Sequence, residues 1–282
     1  MRKIIASLSD LHCGSPVGIL PPGQWQLRSG NTKQNAGQRL TWRMFCDDAH
    51  IIGEMRTNAK LIVVINGDIV EGVHHGNQQV TTSYISEHEA IATNAIDHVL
   101  KLMNFTEGDA LYFVRGTNSH VGESEERIAR DFGAVPFRKD STSENKDGRY
   151  CHPSLKMIIS GVRAWWAHKL AGVGKGANRE NSMRNYMRNL RLECYAQGIT
   201  PPDYLIGSHF HQRLYAVDAY RDHEMRGFVL PSYKLKDDYT FEGFAPFGLS
   251  DIGMHWIRIE DDGTSKWGWL KHTTEQVKEV RE

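Results

Sequence analysis

The chain has 282 residues, of which 40% are hydrophobic, and this size suits a single domain over residues 1–282 with a substantial core. Its 34 basic residues balance 34 acidic ones, so net charge indicates no polyanionic partner and any electrostatic attraction must come from a local patch.

The cysteines and the apolar segments exclude further classes of protein. Four cysteines without a C-x-x-C pair argue against a disulfide framework or a cysteine zinc site and favour a reducing compartment. The first residues do not have the pattern of a signal peptide, and no apolar run reaches about 18 residues. We therefore expect a cytoplasmic protein without a membrane partner.

Short apolar runs that end in polar residues predict strands, and near-continuous runs are typical of strands buried on both faces. In chain order these runs are KIIASLSD, KLIVVINGD, ALYFVRG, RAWWAHK and DYLIGSHFH. Helices are predicted between them, over roughly residues 40–57, 86–103, 123–132 and 179–196. The alternation of strands and helices predicts a layered α/β core.

The last third of the chain predicts further strands, in RLYAVDAY, MRGFVLP, MHWIRIE and SKWGWLK, with a hairpin turn at DDGT. The expected fold is thus α/β, with a mixed sheet or a two-sheet sandwich flanked by helices. Residues 14–38 and 138–149 are predicted to be long surface loops, and structureless segments of this length are often functional or disordered.

Side chains that can bind metal follow five of the predicted strands. They are Asp10 and His12, then Asp68, then Asn118 and His120, then His168, and finally His209 and His211. Residues i and i+2 of a strand point to one face, so each Asp-x-His or His-x-His pair could be directed at one ion. Functional residues of open α/β sheets gather beyond the carboxyl ends of strands. An Asp/Asn/His set predicts a hydrolytic divalent site for manganese, iron or zinc.

The order of these motifs resembles the calcineurin-like metallophosphoesterases, whose pattern is D-x-H, G-D-x-x-[DE], G-N-H-[DE], an isolated His and G-H-x-H. DLH, GDIVE, GTNSH, AHK and GSHFH follow that order over residues 10–211. The third and fifth motifs each have an extra residue after the glycine, and in the third Ser119 also separates Asn from His. The resemblance implies a ββ-sandwich of mixed sheets flanked by helices.

The resemblance also implies two divalent metal ions, with Mn²⁺ expected and Fe or Zn as alternatives. Asp10, His12 and His211 would hold one ion, Asp68 would bridge both, and Asn118, His168 and His209 would hold the other. His120 would lie beside the substrate as proton donor or phosphate ligand. A metal-bound hydroxide would attack phosphorus, and His120 would act as general acid.

Two details stay open at this point. The wider GTNSH turn leaves Asn118, Thr117 or a water as the ligand of the second ion. Glu71 either orients a ligand from behind or is simply solvated.

The substrate is indicated less directly. On the predicted helix Arg184, Arg188 and Arg191 share one face by their i, i+4, i+7 spacing, beside an apolar stripe that should pack inward. They could bind phosphates or form an ordinary solvated face. The loop of residues 14–38 contains Trp25, Arg28 and Lys33, which could contact a base or a phosphate.

These features favour a phosphodiesterase, nuclease-like or directed at nucleotides. The alternatives are a phosphomonoesterase or phosphoprotein phosphatase, and a non-catalytic binding module with a degenerate metal site. Oligomeric state is not predicted.

Overall fold

A computed structural model describes residues 1–73, 79–137, 149–238 and 249–275. Its strands are β1 (Lys3–Leu8), β2 (Trp25–Leu27), β3 (Gly30–Thr32), β4 (Lys60–Ile65), β5 (Ala110–Val114), β6 (Cys151–His152), β7 (Leu155–Ile159), β8 (Val162–Trp166), β9 (Tyr204–Gly207), β10 (Leu214–Tyr220), β11 (His223–Val229), β12 (Leu249–Ile259) and β13 (Ser265–Glu275). Its helices are α1 (Ala36–Met55), α2 (Ile85–Leu102), α3 (Asn118–Val121), α4 (Ser124–Asp131) and α5 (Asn181–Ala196), with a 3₁₀ turn at Gly176–Asn178.

Two mixed sheets form a sandwich, as the sequence predicted. The first sheet has the order β13-β12-β1-β4-β5-β6, and its strands β1, β4, β5 and β6 are parallel. The second has the order β10-β11-β9-β8-β7, in which β8, β9 and β11 are parallel. Because β1, β4, β5, β8 and β9 precede the predicted ligands, the parallel strands of each sheet carry those ligands to one edge.

Three apolar layers explain why the strand sequences are continuously apolar. Ile4 of β1 belongs to the core under α1, α2 and α4, whereas its neighbour Ile5 belongs to the core between the two sheets. A third core joins α5 to the second sheet through Met183 and Met187. Since successive side chains of a strand point to opposite faces, a strand covered on both sides needs apolar residues at every position.

The four predicted helices are confirmed, with shifts of a few residues at their ends. The largest shift is at α1, which begins at Ala36 because Asn35 and Gln38 form a capping box. The Asn35 side chain accepts a hydrogen bond from the Gln38 backbone amide, and the Gln38 side chain accepts one from the Asn35 amide.

The two predicted loops have different outcomes. Residues 14–38 contain the hairpin formed by β2 and β3 as well as the first residues of α1, so this segment is more ordered than the sequence indicated. The loop predicted over residues 138–149 lies outside the described residues apart from Arg149. The hairpin turn at DDGT is confirmed between β12 and β13.

All four cysteines carry free thiols. Within the described ranges, no helix combines the length and apolar character needed to cross a bilayer.

Candidate metal centre

The loops after β1, β4, β5, β8 and β9 meet at one edge of the sandwich. Backbone hydrogen bonds join the first two, from the Asp10 amide to the Gly67 carbonyl (2.9 Å) and from the His12 amide to the Asp68 carbonyl (3.1 Å). The Ser208 amide donates to the His168 carbonyl (2.8 Å), which joins the loops of the second sheet.

Five of the predicted ligands have left-handed backbone conformations. The positive φ values are 54° at Asp10, 45° at His12, 52° at Asp68, 76° at His209 and 51° at His211. Such conformations cost about 1–3 kcal/mol each at a non-glycine residue and cluster at functional sites. The surrounding packing therefore holds these five residues in conformations that their own backbones disfavour.

The paired ligands were expected to converge because residues i and i+2 of a strand point to one face, and this expectation is wrong. Asp10 and His12 lie beyond the end of β1, and Asn118 and His120 lie in the helical turn α3 rather than in extended backbone. Turns therefore set the directions of these side chains, and the alternation of a strand plays no part in it.

Glycines let two of the loops touch. A Cβ atom at Gly116 would lie 2.3 Å from the Asp68 backbone nitrogen, and one at Gly67 would lie 2.6 Å from the Gly116 Cα. Real Cβ contacts do not reach these distances, so a side chain at either position would push the loop after β4 away from the loop after β5. The φ of Gly116 is not in the left-handed region, so its backbone conformation does not require glycine. The close approach of the two loops is what requires it.

Asp10, His12 and His211 form the first cluster. The His211 Nε2 lies 3.2 Å from the Asp10 Oδ1 and 3.0 Å from the His12 Nε2. The Asp10 Oδ1 has no hydrogen-bond donor among the described residues. Buried groups of this kind normally have a partner, so a cation directed at this oxygen and the two imidazole nitrogens fits the arrangement.

Glu71 orients His12 from behind. Its Oε2 lies 2.8 Å from the His12 Nδ1, and both side chains are buried. The Lys234 ammonium lies 3.1 Å from the same carboxylate and 2.7 Å from Asp237. The contact of Nδ1 with Glu71 leaves Nε2 as the nitrogen that faces the cluster.

The second cluster consists of Asp68, His168 and His209. The His168 Nε2 lies 3.0 Å from the Asp68 Oδ2. The His168 Nδ1 donates to the Asn66 carbonyl at 2.7 Å, which again turns Nε2 toward the cluster. The His209 amide donates to the Asp10 Oδ2 at 3.3 Å, so the two clusters adjoin.

The charges around His168 fit a cation as well. Burial opposes protonation of its imidazole, yet the Asp68 and Asp10 carboxylates raise the pKa of His168 to about 10. The same negative field favours a divalent ion. Both clusters thus have donor sets that fit divalent metals: carboxylate oxygens and imidazole nitrogens, with no thiolate.

Residues of the GTNSH segment take three different directions. The Thr117 hydroxyl lies 3.2 Å from the Asp68 Oδ2 and 3.2 Å from the His209 Nδ1. The Asn118 Oδ1 accepts instead from Arg115 at 3.4 Å. The His120 Nδ1 donates to the Glu71 carbonyl at 2.7 Å, and its ring centroid lies 5.0 Å from that of His12.

The sequence predicted that Arg184, Arg188 and Arg191 of α5 form a stripe beside the apolar face of the helix. In the structure all three make contacts within the protein. Arg191 is buried, and its guanidinium donates to the Asp218 Oδ2 at 2.6 Å and to the Asp218 carbonyl at 2.7 Å. Arg188 donates to the same carboxylate at 3.0 Å, and Arg184 contacts Glu180 and the Val217 carbonyl. Asp218 of β10 thus draws Arg188 and Arg191 toward the contact between α5 and the second sheet.

Sequence reasoning did not identify two buried charged residues near the clusters. Glu125 of α4 accepts from the Gly116 amide at 2.7 Å and from the Ile69 amide at 3.2 Å, so it ties the loop after β5 to the loop after β4, which carries Asp68. Burial and the Asp68 charge raise the pKa of Glu125 to about 7. Lys234 is the other residue, and no motif distinguishes it from the other basic residues of the chain.

No family model and no curated protein matches the chain. Solved structures with a similar fold include a dimetal phosphatase from Danio rerio, at 9% identity over 96% of this chain and 98% of that one, with a TM-score of 0.43. Another is a metallophosphoesterase from Sphaerobacter thermophilus, at 11% identity over 96% and 88% of the two chains and a TM-score of 0.34. A protein from Streptococcus pneumoniae described as a predicted phosphoesterase has 10% identity over 98% and 99%, with a TM-score of 0.36. Identities and TM-scores this low carry no activity over to this chain.

Proposed function

We propose that this chain is a metal-dependent phosphoric ester hydrolase that uses two divalent ions, and that its substrate is a phosphodiester of a nucleic acid or nucleotide. The observation that carries the proposal is the pair of adjoining Asp/His clusters, Asp10–His12–His211 and Asp68–His168–His209, on a strained edge of the sandwich. The motif order that resembles the calcineurin-like metallophosphoesterases supports the same reaction class.

When bound, a pair of divalent ions supplies Lewis-acid stabilisation of a phosphorus centre and a nucleophile at neutral pH. The residues of the chain have separate roles around it. Asp10, His12 and His211 would hold one ion, and Asp68, His168 and His209 the other. His209 and His211 are about three-quarters buried, so the clusters open to solvent on the side where these imidazoles lie.

His120 would donate a proton to the leaving group. Its Nδ1 donates to the Glu71 carbonyl, which fixes the ring and makes Nε2 the nitrogen that can gain or lose a proton. The nearby His12 ring keeps it next to the first cluster. Proton donation to the leaving alkoxide by such a positioned imidazole contributes about 10²–10⁴-fold to turnover.

Charge supports a diester over a monoester. Among the described residues, Lys234 and Arg115 contact loops at this edge, and both already meet carboxylates: Lys234 meets Glu71 and Asp237, and Arg115 meets Glu123 at 3.3 Å. A phosphomonoester dianion carries a second negative charge that neither of these paired cations is placed to neutralise. A diester carries one negative charge and needs less cationic support.

The test is metal analysis combined with parallel assays on an aryl phosphate diester and the matching monoester. We expect strong chelation to abolish hydrolysis, Mn²⁺ to restore it, and the diester to be the better substrate. Full activity in metal-stripped protein would refute the metal-dependent reaction. Preference for the monoester would favour the phosphomonoesterase alternative, and metal binding without any turnover would favour the non-catalytic module.

A further inference from the structure

The Thr117 hydroxyl lies beside the second cluster. It is 3.2 Å from the Asp68 Oδ2 and 3.2 Å from the His209 Nδ1, both of which belong to that cluster. The Thr117 amide also donates to the Asp68 Oδ1 at 2.6 Å. One residue thus contacts both oxygens of the Asp68 carboxylate, and its side chain points toward the cluster.

Asn118 points elsewhere because α3 begins there. Thr117 precedes the helical turn with extended backbone, at φ −69° and ψ 125°, and its carbonyl accepts from the His120 and Val121 amides. Asn118 is the first residue of the turn, and its side-chain oxygen accepts from Arg115. The direction of each side chain is therefore set by the helical turn, which also holds His120 in position.

The position of Thr117 directly after Gly116 also favours Thr117 over Asn118. Gly116 is fixed against Asp68, since even a Cβ atom at Gly116 would lie 2.4 Å from the Asp68 Oδ1. The residue that follows the glycine is therefore the one brought to the cluster. In the G-N-H pattern this residue is asparagine, and in this chain it is Thr117.

We propose that Thr117, rather than Asn118, supplies the oxygen ligand of the second metal site, an inference that rests on the proposed function. Threonine and serine hydroxyls bind hard divalent ions in other proteins, as in phosphate-binding loops that hold Mg²⁺. The second site would then combine the Asp68 carboxylate and two imidazoles with one neutral hydroxyl.

The experiment is a calorimetric titration of the metal-stripped full chain with MnCl₂, using three variants. Thr117→Val removes the hydroxyl and keeps the shape, Thr117→Ser restores a hydroxyl, and Asn118→Ala removes the amide. We expect Thr117→Val to weaken the second Mn²⁺ site by about 10–100-fold, the range found when groups that support a metal are removed. Thr117→Ser and Asn118→Ala should keep wild-type affinity.

Other outcomes overturn the proposal. Loss of the second site in Asn118→Ala, alone or together with Thr117→Val, would assign the ligand role to Asn118. Unchanged binding in Thr117→Val would leave the position to a water. If valine at this position perturbs folding, as judged by circular dichroism, Thr117→Ala makes the same comparison. A wild-type chain that binds no Mn²⁺ refutes the proposed function as well, whereas intact two-site binding in Thr117→Val refutes only the role of Thr117.

Discussion

The Glu71 carboxylate lies between the His12 imidazole and the Lys234 ammonium, within 2.8 Å of one and 3.1 Å of the other. Burial on its own would raise the pKa of Glu71, but His12 and Lys234 hold it well below its ordinary value. Glu71 is thus an anion that increases the basicity of His12 and fixes its orientation. Of the two alternatives that the sequence left open, orientation from behind fits this geometry, because Glu71 is buried.

We predict a graded loss of metal affinity at the first cluster when Glu71 is changed. Glu71→Gln keeps an oxygen that can accept from the His12 Nδ1 but removes the charge, and Glu71→Ala removes both. Affinity for Mn²⁺ should fall in that order, within about 10–100-fold overall, as measured by calorimetric titration. Glu180→Gln, which alters an exposed carboxylate paired with Arg184, is the matched control. Equal affinities in wild type and both Glu71 variants would contradict the orienting role.

At the residue scale, sequence patterns singled out six side chains that the structure brings together in two Asp/His clusters. Asp10, His12, Asp68, His168, His209 and His211 stand out because metal-binding side chains directly after an apolar run are informative. The left-handed backbone of five of them was not predictable, since packing of other loops imposes it. Lys234 was not predictable either, because its role depends on a contact with Glu71, 163 residues away.

At the scale of elements, α5 packs on the second sheet through charge as well as apolar contact. Met183 and Met187 lie in the core, and a Cβ atom at Gly227 of β11 would lie 2.7 Å from the Met183 Cγ. The Arg191 guanidinium and the Asp218 carboxylate are both nearly fully buried beside this contact. Removing one member of a buried ion pair leaves the other uncompensated.

Arg191→Met is therefore expected to destabilise the fold by up to about 3–5 kcal/mol, because Asp218 would stay buried with only the exposed Arg188 as its charged partner. Arg188→Met should cost only about 0–1 kcal/mol, since the Arg188 side chain is 60% exposed. Urea unfolding of both variants makes the comparison.

A nucleic-acid titration over a range of salt concentrations shows whether the arginines serve a substrate instead. If Arg191→Met keeps its stability but loses salt-dependent binding to nucleic acid, the phosphate-binding interpretation from the sequence holds and the structural role is wrong.

The strands that sequence patterns missed are short and lack a long continuous apolar run. β7 alternates between buried and exposed residues at the edge of its sheet, and β2 and β3 lie in a segment rich in Gly, Pro, Gln and Asn. β6 has only two residues. Strands buried on both faces were predicted well because their composition follows directly from burial.

At the scale of the whole molecule, the two sheets enclose a histidine among aromatic side chains. His255 of β12 is fully buried, and its ring centroid lies 4.3 Å from that of Phe228 and 4.9 Å from that of Trp269. Neither ring nitrogen has a hydrogen-bond partner among the described residues. Burial lowers the pKa of His255 to about 3.

The core between the sheets should therefore weaken in acid. The pKa of His255 is lower in the folded chain than the value of about 6.5 in the unfolded chain, so the unfolded chain binds more protons between these values. Its contribution to stability is complete above pH 6.5 and is lost as pH falls toward 3, with a slope of up to about 1.4 kcal/mol per pH unit.

Urea unfolding of wild type and His255→Leu between pH 4 and 8 measures this slope. The variant should lose less stability in acid than wild type, and His50→Leu, at an exposed position, should follow the wild-type profile. The same pH dependence in all three proteins would show that His255 is not the group responsible.

The clusters also have a consequence for the order of events during folding. His12 and His211 are 199 residues apart in the chain, and each cluster draws ligands from both sheets. Contacts between such distant segments are entropically costly and are characteristic of slow steps. A chain with only one sheet assembled would offer each ion an incomplete set of ligands. The rate at which a refolding chain takes up Mn²⁺ should therefore follow the docking of the two sheets, and tight binding should lag behind the formation of helical structure.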